Sequence, residues 1–452
     1  MRIHLIAIGG SAMHNLALAL QYNHHTVTGS DDEIYNPAKD RLEAKGLLPK
    51  KMGWDPARIN EGIDAIILGM HARKDNPELL KAQSLGIPIF SYPAFLYEAA
   101  KTKQRVVIAG SHGKTTTTSM VLHVLKYLAC DFDYLVGAII EGFDNMVRIS
   151  TADLMVLEGD EYLSSPIDLR PKIMHYQPHL AVITGIAWDH INVFPTFAGY
   201  VQQFEQFIET IQPGGKLFYY KNDKSLQQIL AGRSFDFDLI PYEAFPYELK
   251  NQQTFVKSEA LGLVPLSIFG QHNLENLRAA FLICQELGIA EDQFFEAIQT
   301  FKGAAKRLQI LAETKSAIAF QDFAHAPSKL KATVKAVKAQ YPQRSLVACM
   351  ELHTFSSLNK SFFPEYRNSM DGADVAVVFY SEHTLKMKKL PPFTKAEVKA
   401  AFNHPNLVVL TDKKELFALL EKQDWSNQNL LLMSSGTFGG SDLTALGQLL
   451  EK

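Results

Sequence analysis

Along the N-terminal part of the chain, short apolar runs alternate with stretches of helical spacing: IHLIAIGG, then AMHNLALALQYN, then HTVTGSD, and later AIILGM and IPIFSY. An apolar run of about four to eight residues bounded by turn residues is a candidate buried strand, and strands alternating with helices predict parallel strands with helical crossovers. A second unit opens on RVVIAG at Arg105, continues through LMVLEGDEY (Leu154 to Tyr162) and LAVITGIAWDH (Leu180 to His190), and closes on the helical pattern NLENLRAAFLICQELG. A third follows KGAAKRLQIL, with AIAFQDF, SLVACM, VAVVFY and NLLLMSSG as strands and SKLKATVKAVKAQY as a helix. The rhythm predicts an α/β protein in three parts, bounded as residues 1–102, 103–303 and 304–452. There is no short-period repeat and no low-complexity tract.

The length of 452 residues fits that count, at about 150 residues per domain. With 45 basic against 48 acidic residues there is no broad attraction to nucleic acid or to an anionic membrane, so charged ligands must be held by local sites. Cys130, Cys284 and Cys349 are scattered without metal-ligand or disulfide spacing, which fits a reducing compartment. The opening MRIHLIAIGGSAM is broken by His4, Gly9 and Gly10, and no run approaches the ~20 apolar residues of a membrane helix. The expectation is a soluble cytoplasmic protein acting on small molecules, with no nucleic acid, no membrane and no obligate protein partner.

Two turns carry candidate chemistry. In the first part a strand ends in Gly9-Gly10-Ser11 and leads into a helix, whose N-terminal amides suit a diphosphate, and Asp31 follows the second strand where a carboxylate meets a ribose. Met13, His14 and Asn15 stand where the third glycine of a dinucleotide fingerprint is expected, so a nicotinamide dinucleotide, another nucleotide diphosphate and a plain strand-to-helix turn all remain open. In the second part GSHGKTTTT (Gly110 to Thr118) follows a strand, with two residues between the glycines where the usual phosphate loop has four. Lys114 there can supply a point charge to terminal phosphates and the Thr115 hydroxyl can ligate Mg2+; the bland alternative is a polar-capped glycine turn. Glu158, Asp160 and Glu161 end the next strand, and Asp189-His190 the one after; carboxylates suit Mg2+, whereas imidazole is not its natural ligand.

GSHGKTTTT resembles the G-[ST]-[HN]-G-K-[ST] loop of the Mur ligases and the related folylpolyglutamate synthases, ATP-dependent enzymes that join an amino group to a carboxylate. Other marks of that family follow in order over nearly the whole chain: Glu158-Gly-Asp160-Glu161, Asp189-His190, Gly270-Gln-His272-Asn273 with Asn276, Arg307, and Asp322-Phe-Ala-His325-Ala-Pro327. The resemblance implies a Rossmann-like N-terminal domain, a P-loop ATPase-like central domain and a Rossmann-like C-terminal domain. It implies ATP and Mg2+, with Gly110, Ser111, His112, Gly113, Lys114, Thr115 and Thr116 cradling phosphates, and Thr115, Glu158 and His190 holding metal. By the same resemblance His272, Asn273 and Asn276 border the adenosine, Arg307 and Asp322 reach the nucleotide, and His325 is a candidate for orienting or deprotonating the amine. Gly9, Gly10, Ser11 and Asp31 would then face UDP-N-acetylmuramate.

The opening stretch and Met433-Ser-Ser-Gly-Thr-Phe438-Gly-Gly440 resemble the branch of the family that joins UDP-N-acetylmuramate to recycled L-alanyl-γ-D-glutamyl-meso-diaminopimelate. The L-alanine-adding branch is the alternative. Departures bear on that choice: Ala7, His14 and Asn15 replace expected glycines, Gln321 an acid and Ala326 a second histidine, and Glu351-Leu-His353 stands where Glu-Pro-Arg is usual. Two rival readings are a nucleotide-dependent oxidoreductase built on the first turn, which leaves the phosphate loop unexplained, and an ATP-binding switch that has lost ligation.

Overall fold

A computed structural model describes residues 1–451, in two compact units. The first comprises Met1–Ile186, Val201–Tyr242 and Leu282–Leu287; the second comprises Ala187–Tyr200, Glu243–Phe281 and the chain from Gly288 onward. The segment Ala187–Tyr200, which the strand rhythm groups with residues 103–303, thus packs with the C-terminal part of the chain.

In the first unit a four-stranded parallel sheet has the order Thr26–Ser30, Arg2–Ile6, Ala65–Leu68, Ile89–Ser91. Its central strands carry the runs IHLI and AIIL, buried on both faces, as the apolar pattern requires of a parallel sheet covered by helices. The helix Pro77–Ser84 starts where Asn76 accepts hydrogen bonds from the amides of Glu78 (2.9 Å) and Leu79 (3.1 Å), with Pro77 at its first position. Glu78 has no solvent exposure and accepts from the Ser30 hydroxyl, the Asp55 amide (2.8 Å) and Arg58 Nη1 (3.1 Å). This carboxylate therefore ties the end of the strand Thr26–Ser30 to the loop at Asp55–Arg58.

The same unit holds a seven-stranded sheet in the order Asp238–Tyr242, Lys216–Tyr220, Leu180–Ile183, Gln104–Ala109, Leu154–Glu158, Asp133–Leu135, Val147–Arg148, parallel except for the last pair. Arg105, at the foot of the central strand, is buried and donates to the carbonyls of Ala100, Lys101, Lys103, Tyr176 and Gln177. Five fixed donors on one planar group suit such a cluster of carbonyls.

The second unit has a three-stranded antiparallel sheet (Tyr247–Lys250, Gln253–Ser258, Gly262–Leu266) and a six-stranded sheet. The larger sheet runs Gln309–Glu313, Ile318–Asp322, Gln428–Met433, Ser345–Leu352, Val375–Tyr380, Leu407–Leu410, parallel but for its first pair. Apolar clusters cover both faces, and one of them includes Ile191, with Trp188 packed against it and stacked edge-on to Phe362 at 5.6 Å. Among the described residues no helix is long and apolar enough to cross a membrane.

Candidate active site

The phosphate loop leaves the strand Gln104–Ala109 at the middle of its sheet, where strand ends of an open α/β sheet present ligands. Gly110 has φ +125°, and a Cβ there would lie 2.2 Å from Thr184 Oγ1, so only glycine fits. Gly113 has φ +73° at the N-cap of the helix Lys114–Tyr127, whose free amides and dipole attract an anion. Thr184 sits within hydrogen-bond reach of the Ala109 (3.1 Å) and His112 carbonyls and braces the loop. The Ser111 amide donates to the Gly185 carbonyl at 2.9 Å, and Thr116 is buried in the first helical turn.

Lys114 Nζ lies 2.7 Å from Glu161 Oε2 and 2.5 Å from the Gly110 carbonyl. Burial alone would pull its pKa down, but the charges of Glu161 and Asp160 outweigh burial and raise it, so the side chain is an ammonium. Thr115 Oγ1 donates to Glu158 Oε1 at 2.8 Å, while Glu158 Oε2 accepts the Gly137 amide at 2.6 Å. A hydroxyl and a carboxylate side by side at a phosphate loop fit Mg2+, which takes one or two protein oxygens and completes its shell with phosphate and water.

In the N-terminal turn the Gly9 amide donates to Asp31 Oδ2 at 2.7 Å, and a Cβ on Gly9 would meet Ile34 at 2.8 Å and Asp31 at 2.9 Å. Asp31 thus sits on the turn itself, and burial pushes its pKa up to about 6. Gly10 and Ser11 start the helix Ser11–Tyr22. The residues found in place of expected glycines have partners of their own. His14 Nδ1 donates to the Gly10 carbonyl (2.9 Å), and Arg41 donates to His14 Nε2 (3.2 Å), Asn15 Oδ1 (2.8 Å) and the Asp144 carbonyl (2.8 Å). Asn15 also accepts the Met146 amide at 3.2 Å, which fastens this helix to the loop before Val147.

The remaining site residues belong to the second unit. Gly270, φ +90°, precedes the helix Gln271–Glu286; a Cβ on it would lie 2.6 Å from Ala336. His272 is partly buried within the field of Asp322, and desolvation lowers its pKa. Asn273 Nδ2 donates to the Phe269 carbonyl at 2.8 Å, closing the helix entrance, and Asn276 is buried one turn on. Asp322 accepts the Leu308 and Ala324 amides, both at 2.8 Å, and so fixes the loop that carries Arg307, whose guanidinium lies 4.8 Å from the Phe323 ring centre.

His325 is buried: Nδ1 donates to the Phe323 carbonyl at 2.8 Å, and Nε2 faces Asp189 Oδ2 at 3.6 Å. Lys329 Nζ lies 3.1 Å from the same Asp189 oxygen, and the other oxygen accepts the His190 amide at 2.8 Å. Burial alone would raise the Asp189 pKa; Lys329 and then His325 outweigh it and hold it well below the usual carboxylate range. The second ring nitrogen of His325 thus faces a buried carboxylate, and burial lowers the His325 pKa. At the end of the strand Ser345–Leu352, Glu351 is buried and accepts the Ser434 hydroxyl and the amides of Phe438 (2.7 Å) and Gly439 (3.1 Å). His353 Nδ1 stands 3.7 Å from Glu351, and a Cβ on Gly436 would lie 2.8 Å from the His353 ring.

Glu161, Thr184 and Lys329 were not assignable from sequence. Glu161 shares a run with Glu158, which marks an acidic strand end without saying which acid meets Lys114, and Lys329 reads as an ordinary polar position of an amphipathic helix. The sequence-selected residues fall into two groups: Gly9, Gly10, Ser11, Asp31, the loop Gly110 to Thr116 and Glu158 in the first unit; His190, His272, Asn273, Asn276, Arg307, Asp322 and His325 in the second.

Residues 2–104 match the model of the Mur ligase family catalytic domain, and residues 108–284 that of the Mur ligase middle domain. The UDP-N-acetylmuramate--L-alanine ligase of Sulfurihydrogenibium sp. is 31% identical over 386 residues, 83% of this chain and 82% of that protein. The UDP-N-acetylmuramate--L-alanyl-gamma-D-glutamyl-meso-2,6-diaminoheptandioate ligase of Escherichia coli K12 is 26% identical over 461 residues, covering 100% and 99%. A murein peptide ligase from Psychrobacter arcticus 273-4 has the same fold, with a TM-score of 0.67 over 100% of this chain and 98% of that one at 24% identity. The chain belongs to the Mur ligase family and is an ATP-dependent ligase of three-domain α/β architecture.

Proposed function

We propose that this ligase joins UDP-N-acetylmuramate to L-alanyl-γ-D-glutamyl-meso-diaminopimelate through an acyl phosphate. The observation that carries the peptide reading is the loop Met433–Gly440, whose Ser434, Phe438 and Gly439 are held on the buried Glu351, so that an acid at that position has a built role. The alternative amine, L-alanine, is favoured by His353, half-exposed beside Glu351 where the tripeptide branch usually has arginine.

A carboxylate is a poor electrophile at neutral pH, so it needs activation by phosphoryl transfer. Mg2+ bound at Thr115 and Glu158, with His190 as a further ligand, would supply charge neutralisation for the transferring group. Lys114 exchanges Glu161 for phosphate oxygens and, with the amides following Gly110, stabilises the charge that develops in transfer. Gly9, Gly10 and Ser11 hold the diphosphate of the muramate, with Asp31 beside them. His272, Asn273 and Asn276 border the adenosine, and Arg307 and Asp322 approach the nucleotide. An acyl phosphate must be kept from water, which requires the C-terminal part of the chain to cover it during turnover.

The test is phosphate release by the purified protein with ATP, Mg2+ and UDP-N-acetylmuramate, comparing the tripeptide with L-alanine. Release with the tripeptide alone supports the proposal, and release with L-alanine alone selects the biosynthetic reaction. Lys114→Ala must abolish release while the UDP-sugar still binds; undiminished turnover refutes the site.

A further inference from the structure

Lys329 stands in the first turn of the helix Pro327–Gln340, which has no acidic residue there. A cation at a helix N-terminus is opposed by the helix dipole, so its placement needs a compensating partner. That partner is Asp189, a carboxylate only 4% exposed, 3.1 Å from Lys329 Nζ. The other oxygen of Asp189 holds the His190 amide at 2.8 Å. His190 has φ +54°, a left-handed conformation that is unfavourable for a non-glycine residue and persists only where its surroundings enforce it. Its carbonyl accepts the amides of Val193 (2.8 Å) and Phe194 (2.9 Å), and the Ile191 amide donates to Ser356 Oγ (3.2 Å), so the residue is pinned on both sides.

We infer that Lys329 is a positioning residue for the metal-binding histidine: its ammonium fixes Asp189, and Asp189 fixes the strained backbone that presents the His190 imidazole. The inference rests on the proposed reading of His190 as a metal ligand. Without the ammonium, Asp189 keeps the His190 amide and the longer contact to His325, at 3.6 Å, and a buried carboxylate with too little compensation turns toward other donors. That turn releases the His190 amide and lets residue 190 relax toward ordinary φ, carrying its ring away from the position in which it would hold a metal. The ion pair also makes metal binding depend on the chain after residue 304, because Lys329 and His325 both come from that part.

The experiment uses the full-length protein with Mn2+ as probe, titrated in the presence of a non-hydrolysable ATP analogue and followed by electron paramagnetic resonance, for wild type, Lys329→Met, Lys329→Arg and His190→Ala. Outer-shell residues that orient a metal ligand are worth ~10–100-fold in metal affinity, so Lys329→Met is expected to weaken Mn2+ binding about tenfold. Lys329→Arg should restore it to within about twofold. Thermal melting confirms that each variant is folded, and Lys329→Gln replaces the Met variant if that one is not. Loss with Met and recovery with Arg supports the inference. If His190→Ala weakens Mn2+ binding and Lys329→Met does not, or if Arg fails to restore it, the inference is overturned and the reading of His190 stands. If His190→Ala leaves binding unchanged, both fall.

Discussion

Replacing Glu78 by Gln tests whether a buried carboxylate organises the N-terminal sheet. The change keeps shape and volume and removes the charge. Glu78 is fully buried and receives the Ser30 hydroxyl, the Asp55 amide at 2.8 Å and Arg58 Nη1 at 3.1 Å, with His4 Nε2 at 3.5 Å. Breaking a buried ion pair costs ~3–5 kcal/mol. The lower end applies, because Arg58 keeps the carbonyls of Gly53 (2.6 Å) and Lys51 (2.7 Å) and is not left unpaired. At a urea dependence of ~2 kcal/mol per molar, about 3 kcal/mol moves the midpoint down by about 1.5 M. Trp54, beside Asp55 and packed on the core that contains Leu79, is the fluorescence reporter. Trp188→Phe and Trp425→Phe silence the other two of the three tryptophans. Burial alone would raise the Glu78 pKa, but bonds from His4, Ser30 and Asp55 bring it below its ordinary 4.5. A lowered pKa contributes stability that is present above 4.5 and lost as pH falls through the folded value, so the gap between wild type and variant must close in acid. A midpoint within about 0.3 M of wild type, or a gap that persists undiminished at about pH 3, refutes the argument.

Asp31, whose pKa is raised to about 6 from 3.8, opposes folding once ionised, so Asp31→Asn should melt higher than wild type at about pH 8 and no higher at about pH 4. An equal difference at both pH values contradicts the burial argument. Gly110→Ala places a methyl 2.2 Å from Thr184 Oγ1 at a φ of +125°, and is expected to remove the thermal shift produced by ADP; a retained shift shows that the loop does not need this geometry. Glu351→Gln deprives Ser434, Phe438 and Gly439 of their common anion, and should raise KM for the amine substrate on the order of tenfold with KM for ATP little changed, as initial-rate kinetics would show.

The strands that sequence reveals are those buried on both faces. Arg105 to Ala109, Leu154 to Leu157 and Val375 to Tyr380 are near-continuous apolar runs because helices cover their sheets. Tyr247–Lys250 escapes the same reading because all four residues are exposed, and Asp133–Leu135 because three residues carry no period. The phosphate loop is legible since its glycines answer a local backbone demand, positive φ at Gly110 and Gly113, that no other residue meets cheaply. Charge pairing is not local: Lys114 meets Glu161 across 47 positions and Lys329 meets Asp189 across 140, distances over which no spacing rule operates. The orientation of His325 is likewise hidden from sequence, because it follows from the Phe323 carbonyl taking one ring nitrogen and Asp189 facing the other.

The membership of Ala187–Tyr200 in the C-terminal unit also bears on how the protein is made. This segment carries Trp188, Ile191 and Phe194, and the partners of the first two, including Ser356 and Phe362, are encoded far downstream. At ~5–20 residues per second, the ribosome delivers Phe362 roughly 8–32 s after Tyr200 has been added. During that interval Trp188 and Ile191 lack the downstream residues that cover them in the folded protein. The exposure of Trp188 and Ile191 during synthesis therefore lasts as long as translation takes to reach their partners, and a pause or truncation between residues 200 and 362 would prolong it.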